Sequence, residues 1–242
     1  MAEQQKNGNY ERVLVVTAHP DDPEFGFGAS IAKLAGDGSD VFYVICSDGC
    51  QGGEDPSVPD AELSATRYAE QRAAAEVLGV KDVVFLGFRD GSLAPTVELR
   101  KAISREIRRY KPDLVLTHTP VRSLGIGIGA SHPDHLAVGE ATLSAVYPDA
   151  RNPFAYPELL SGEGLEPWVV REIWFAASPN PDHIVDITDV YPRKLAALQA
   201  HATQTSHMDL DERLRTMLGR TATAAGLPDG RLAEAFSIVS TG

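Results

Sequence analysis

Short apolar runs alternate with longer amphipathic stretches from residue 12 onward, and that alternation predicts the architecture. "RVLVVTA" (12–18) reads as a buried strand and "GFGASIAKLAGDG" (26–38) as a helix closed by glycine. "DVFYVICSD" (40–48) is a second strand. "AELSATRYAEQRAAAEVLGV" (61–80) is an Ala-rich helix, and "DVVFLGF" (82–88) a third strand. "TVELRKAISREIRRY" (96–110) predicts a helix and "DLVLTHT" (113–119) a fourth strand. Further on, 168–178 and 183–188 read as strands, and 189–203 and 209–224 as helices. Strands separated by helices of ten or more residues predict an α/β, Rossmann-like, mostly parallel sheet with helices on both faces.

In such sheets ligands gather outside the carboxyl ends of the strands, near the switch in strand order. "AHPDDPE", "SDGCQGGED", "GFRDGSL" and "HTPVRSLGIGIGASHPDH" follow strands one to four and open on that one edge. No repeat or linker divides the chain, so residues 1–242 are expected to form a single domain. The polar residues 1–11 carry no apolar core of a signal peptide and predict a frayed lead-in. The Pro/Gly-rich 148–167 predicts a long loop.

Charge narrows the partners. A formal net charge of −12 argues against a nucleic-acid groove, which requires clustered Lys and Arg. No apolar run approaches the roughly 20 residues of a membrane span. The two cysteines, Cys46 and Cys50, are too few for a thiolate zinc site or a disulfide framework, and a reduced, cytoplasmic setting follows.

Chemistry concentrates in two His-Pro-Asp triplets, His19-Pro20-Asp21-Asp22 and His132-Pro133-Asp134-His135. Either one alone is an ordinary turn, with Asp capping and Pro starting a helix. Both on one sheet edge, with an extra Asp and an extra His, point instead to a divalent metal. Adjacent carboxylates repel unless a cation or a proton compensates. An open catalytic site takes three protein ligands plus water, and His19, Asp21, Asp22, His132 and His135 supply more than enough. From these residues alone the division of roles stays open.

"AHPDDPEFGFGASIAKLAGDG" with "SHPDHLAVGEA" resembles the LmbE-like, or PIG-L, family of zinc-dependent de-N-acetylases. The likeness continues through "RYAEQRAAAEVLGV", "FLGFRDGSL" and "ALQAHATQT". The resemblance implies a hydrolase that removes an N-acetyl group from an amino sugar or a sugar-bearing small molecule, by a metal-activated water. It implies zinc, with iron as the alternative, on His19, Asp22 and His135. Asp21 would then be the general base, and His132 would steady the oxyanion or protonate the leaving amine. Asp134 would orient an imidazole, Arg67 would help hold substrate, and Asp90 would contact a sugar hydroxyl. Family members often assemble as trimers or hexamers, so a homo-oligomer is also implied.

The chain departs from the pattern at Ala130, where some relatives carry an oxyanion-assisting Tyr, and at Pro23, which separates Asp22 from Glu24. Two alternatives remain. One is an amidase of the mycothiol-conjugate type with the same metal site. The other is a non-catalytic nucleotide-binding module, weakly supported because Ile31 replaces the third glycine of G-x-G-x-x-G after Gly26 and Gly28. His118, ending strand four, reads equally as a site residue or a strand-end hydrogen-bonding histidine. His183 and His201 read as structural.

Overall fold

The computed structural model describes residues 10–125 and 127–242. Most of the predicted lead-in, residues 1–9, lies outside them. Tyr10 and Glu11 are ordered: the Tyr10 hydroxyl donates to Glu172 Oε1, and Glu11 N–H to Asp113 Oδ2.

Seven strands form one sheet in the order β3-β2-β1-β4-β5-β7-β6. They are β1 (Arg12–Thr17), β2 (Asp40–Ser47), β3 (Asp82–Phe88), β4 (Leu114–His118), β5 (Glu172–Ala176), β6 (His183–Asp186) and β7 (Ala233–Ser240). β1 to β5 pair in parallel, and β7 runs antiparallel between β5 and β6. The helices are α1 (Asp22–Gly36), α2 (Asp60–Leu78), α3 (Val97–Tyr110), α4 (Pro133–Ser144), α5 (Pro157–Ser161), α6 (Tyr191–Gln199), α7 (Ala202–Thr205) and α8 (Leu210–Ala224). Among the described residues, no helix is long and apolar enough to cross a membrane.

The two-residue period of the central strands sends side chains to two cores. Leu14, Val16, Val44 and Val115 face α3 and α4, meeting Ile103, Ile107, Val138 and Ala141. Val13, Val15, Tyr43 and Leu116 face α1, α2 and α6, meeting Phe27, Ile31, Ala74, Leu78 and Ala197. A third cluster, from Tyr191 and Leu198 to Leu214 and Leu232, ties α6 and α8 to the β6–β7 edge. The sheet is therefore mostly parallel with helices on both faces, as the sequence predicts.

Three differences have physical reasons. Helix α1 begins at Asp22 and not at residue 26, so the carboxylate pair sits at its N-terminus. Gly26 and Gly28 are helical there, and a Cβ at Gly28 would meet Lys194 Cγ at 3.2 Å. The predicted helix 189–203 is a 3₁₀ turn at Thr188–Val190, then α6 and α7, broken at Ala200–His201. Strand β7 was not predicted: its opening "AEA" favours a helix and masks the strand-favouring "FSIV" that pairs with β5 and β6.

The predicted loop 148–167 includes α5 and is organised by the fully buried Arg108. Its guanidinium donates to the carbonyls of Asp149, Ala150, Asn152 and Ala155. Cys46 and Cys50 are both free and buried.

Candidate metal centre

β1 neighbours both β2 and β4, whose connections leave in opposite directions, so the crevice opens beyond the ends of β1 and β4. His19, Asp21 and Asp22 follow β1, Asp90 follows β3, and His118 ends β4. His132, Asp134 and His135 stand at the start of α4. Asp22 is the hub. Its Oδ2 lies 3.2 Å from His19 Nδ1 and 3.3 Å from His118 Nε2, and its Oδ1 lies 3.1 Å from His135 Nε2. Although burial alone would raise its carboxyl, His135 and His118 hold Asp22 well below the usual carboxylate range.

The other nitrogen of His19, Nε2, faces Asp90 Oδ1 at 3.0 Å and Asp134 Oδ2 at 3.3 Å. Burial alone would lower His19, but the carboxylates of Asp134, Asp22 and Asp90 outweigh it and raise the imidazole to about 12. Asp134 is itself fixed, because Gly91 N–H and Leu93 N–H donate to its two oxygens.

Asp90 Oδ2 accepts from Gln51 N–H, so both of its oxygens are engaged. His132 caps α4: its Nδ1 accepts from Asp134 N–H at 3.2 Å, which leaves the proton of the neutral ring on Nε2. Burial, with His19 and His135 nearby, lowers its basicity.

Asp21 has φ of 95°, a conformation that costs a non-glycine residue on the order of 1–3 kcal/mol. Burial and the neighbouring Asp22 push its carboxyl up to about 7, against the opposing pull of Arg67, His201 and His19. Arg67 is buried and does not reach out from the site. Its guanidinium donates to Gly49 O and Pro20 O and lies 3.3 Å from Asp21 Oδ2. Gly49 and Gly52 make room for it, since a Cβ at Gly52 would fall 2.2 Å from Arg67 Nη1.

Among the described residues, three sets, His19/His132/His135, Asp22/His118/His135 and His19/Asp90/Asp134, each bring one donor atom per residue within 4.8 Å of one another; His19, Asp22 and His135 are joined pairwise through the two oxygens of Asp22 and do not form one of these sets. Imidazole and carboxylate donors brought together in this way fit a divalent cation such as zinc.

His118 belongs to this cluster. Its ring stacks on His135 at 4.1 Å and 6°, and its Nε2 accepts from Ala18 N–H. Burial pushes it down to about 4. Glu24, Gln71 and His201, all fully buried, form a polar layer beneath Asp21. Sequence reading had no local signal for Gln71. Glu24 and His201 were visible in motif-like stretches, without a partner to define them.

Comparison with known proteins gives the class. The family described as GlcNAc-PI de-N-acetylase (PIG-L) matches residues 14–146. Diacetylchitobiose deacetylase of Thermococcus kodakarensis is 36% identical over 194 residues, covering 80% of this chain and 70% of that protein. A 1D-myo-inositol 2-acetamido-2-deoxy-alpha-D-glucopyranoside deacetylase of Rhodococcus jostii is 32% identical, covering 80% of this chain and 81% of that protein. The solved N,N'-diacetylchitobiose deacetylase of Pyrococcus horikoshii superposes with a TM-score of 0.86 at 32% identity, covering 96% of this chain and 84% of that one. The protein is thus an amide hydrolase of the deacetylase class. It belongs to the PIG-L family.

Proposed function

We propose that this chain is a zinc-dependent de-N-acetylase of a neutral N-acetylglucosamine-type sugar, with N,N'-diacetylchitobiose as the first substrate to try. The observation that carries it is the convergence of His19, Asp22 and His135 beside a raised, strained Asp21 at the strand switch point. The names and similarity of the diacetylchitobiose deacetylases support the choice of sugar.

His19, Asp22 and His135 would hold zinc, which supplies Lewis-acid polarisation of the acetyl carbonyl and acidifies water. Asp21 accepts a proton from the attacking water; a carboxyl near neutrality suits that task. His132 presents its Nε2 proton as a hydrogen bond to the developing oxyanion, and Asp21 passes the proton it took from water to the departing nitrogen. The C–N bond breaks, and acetate and the free amine leave. Asp134, locked by two backbone amides, keeps the His19 ring in orientation. Arg67, 3.3 Å from Asp21 Oδ2, would hold the Asp21 loop, and Asp90, 3.0 Å from His19 Nε2, would steady His19.

Acetate release from N,N'-diacetylchitobiose, measured for wild type and Asp21→Asn, tests this reading. Turnover by wild type and a loss of at least about 100-fold in the variant, with metal retained, are expected. Near-normal turnover by Asp21→Asn contradicts the assignment.

A further inference from the structure

Asp21 needs an external hold, because its backbone adopts a conformation that aspartate does not choose for itself. That hold spans three separate elements. Asp21 N–H donates to Gln71 Oε1 at 2.9 Å, from the middle of α2. The amide nitrogen of Gln71 donates to both oxygens of Glu24, on α1, at 3.0 Å each. His201 Nε2, from the break between α6 and α7, lies 3.0 Å from Glu24 Oε2. All three side chains are fully buried.

The chain of contacts has one sense. A carboxylate cannot donate, so the Gln71 edge facing Glu24 must be its NH₂ and the edge facing Asp21 its oxygen. Glu24 therefore dictates which way Gln71 presents its amide, and His201 fixes Glu24. We infer that Gln71, Glu24 and His201 are positioning residues whose buried hydrogen-bond relay holds the Asp21 backbone in the conformation that aims its carboxylate at the reacting water. This rests on the reading of Asp21 as the base, and none of the three touches substrate or metal.

A reversal of hydrogen-bond polarity tests the relay. Gln71→Glu sets a second carboxylate against Glu24 and breaks the orientation. Glu24→Gln in the same chain restores it: carboxylate 71 accepts from Asp21 N–H and from amide 24, whose carbonyl accepts from His201. The measurements are kcat and KM on N,N'-diacetylchitobiose, metal content and melting temperature, for both single variants, the double variant and Asp21→Asn. Gln71→Glu should lose on the order of 100-fold in kcat, with KM and metal content held. The double variant should recover at least about tenfold of it.

Should Gln71→Glu not fold, Glu24→Gln alone, the gentler change, should lower kcat about tenfold at constant KM. The relay is overturned if either single variant keeps kcat within about twofold of wild type, if the double variant recovers nothing, or if kcat falls only in step with lost metal. Full turnover by Asp21→Asn instead removes the base assignment itself. An inactive Asp21→Asn beside an unaffected Gln71→Glu removes the relay alone.

Discussion

Gly139 sets the spacing between helix α4 and the end of β4, and Gly139→Ala measures how tightly that spacing holds the proposed metal ligands. A Cβ at this position would stand 2.5 Å from the His118 carbonyl oxygen and 2.9 Å from both Thr119 C and Pro120 N. Carbon and oxygen rarely approach closer than about 3.3 Å, so the two backbones must part by about 0.8 Å. No side chain can rotate out of the way.

Overpacking of this kind costs about 1–3 kcal/mol, and the better helix propensity of alanine returns about 1 kcal/mol. A net loss of up to about 2 kcal/mol lowers the melting temperature of a chain this size by up to about 8 °C. The larger effect should fall on the proposed zinc site. His135 lies one turn before Gly139 on the same face of α4 and would move relative to Asp22, now 3.1 Å from it. Zinc–ligand distances tolerate about 0.2 Å, so a shift several times larger should weaken zinc binding by at least about tenfold. Competition against a chromophoric chelator, beside thermal unfolding, provides both numbers. A variant that binds zinc within about twofold of wild type and melts within about 1 °C of it would refute the reasoning.

Two further perturbations follow from buried charge. His118 is pushed by burial from 6.5 to about 4 against the pull of Asp22, so the unfolded chain takes the proton first. Its contribution to stability is intact above pH 6.5 and lost as pH falls through 4, by about 3 kcal/mol. In metal-free protein the unfolding free energies of wild type and His118→Gln should therefore converge by up to that amount over this window, and a pH-independent gap contradicts it. Lys194, fully buried, donates to Glu234 Oε1 at 2.7 Å and to Phe25 O, while Glu234 also accepts from Ala29 N–H, Ser30 N–H and Ser30 Oγ. Lys194→Met should cost about 3–5 kcal/mol in urea unfolding, and adding Glu234→Gln should return part of it; a single-variant loss below about 1 kcal/mol argues against a charge-dependent bridge.

Legibility followed distance along the chain. The donors of "HPDD" and "HPDH" announce themselves because each lies within four residues of the next, and the alternating apolar runs bring both motifs to one edge. β1, β2 and β4 were readable because parallel strands buried on both faces are continuous apolar runs, and the half-buried edge strand β3 keeps a similar run in "DVVFLGF". Gln71 could not be read, since what makes it chemical is contact with Glu24, 47 residues away, and with Asp21, 50 residues away. Arg67 was visible, but not that Gly49, Pro20 and Asp21 enclose its guanidinium. β7 opens with the helix-favouring "AEA", so its start is set by pairing with its two neighbours, although "FSIV" suits a strand.

The most direct measurement is elemental analysis of the purified chain beside His19→Ala and His135→Ala. The account predicts about one zinc per chain in wild type and its loss in both variants, with each variant still folded. Wild type that neither carries nor takes up a divalent metal, or variants that retain it in full, would contradict the shared site at the head of β1 and α4.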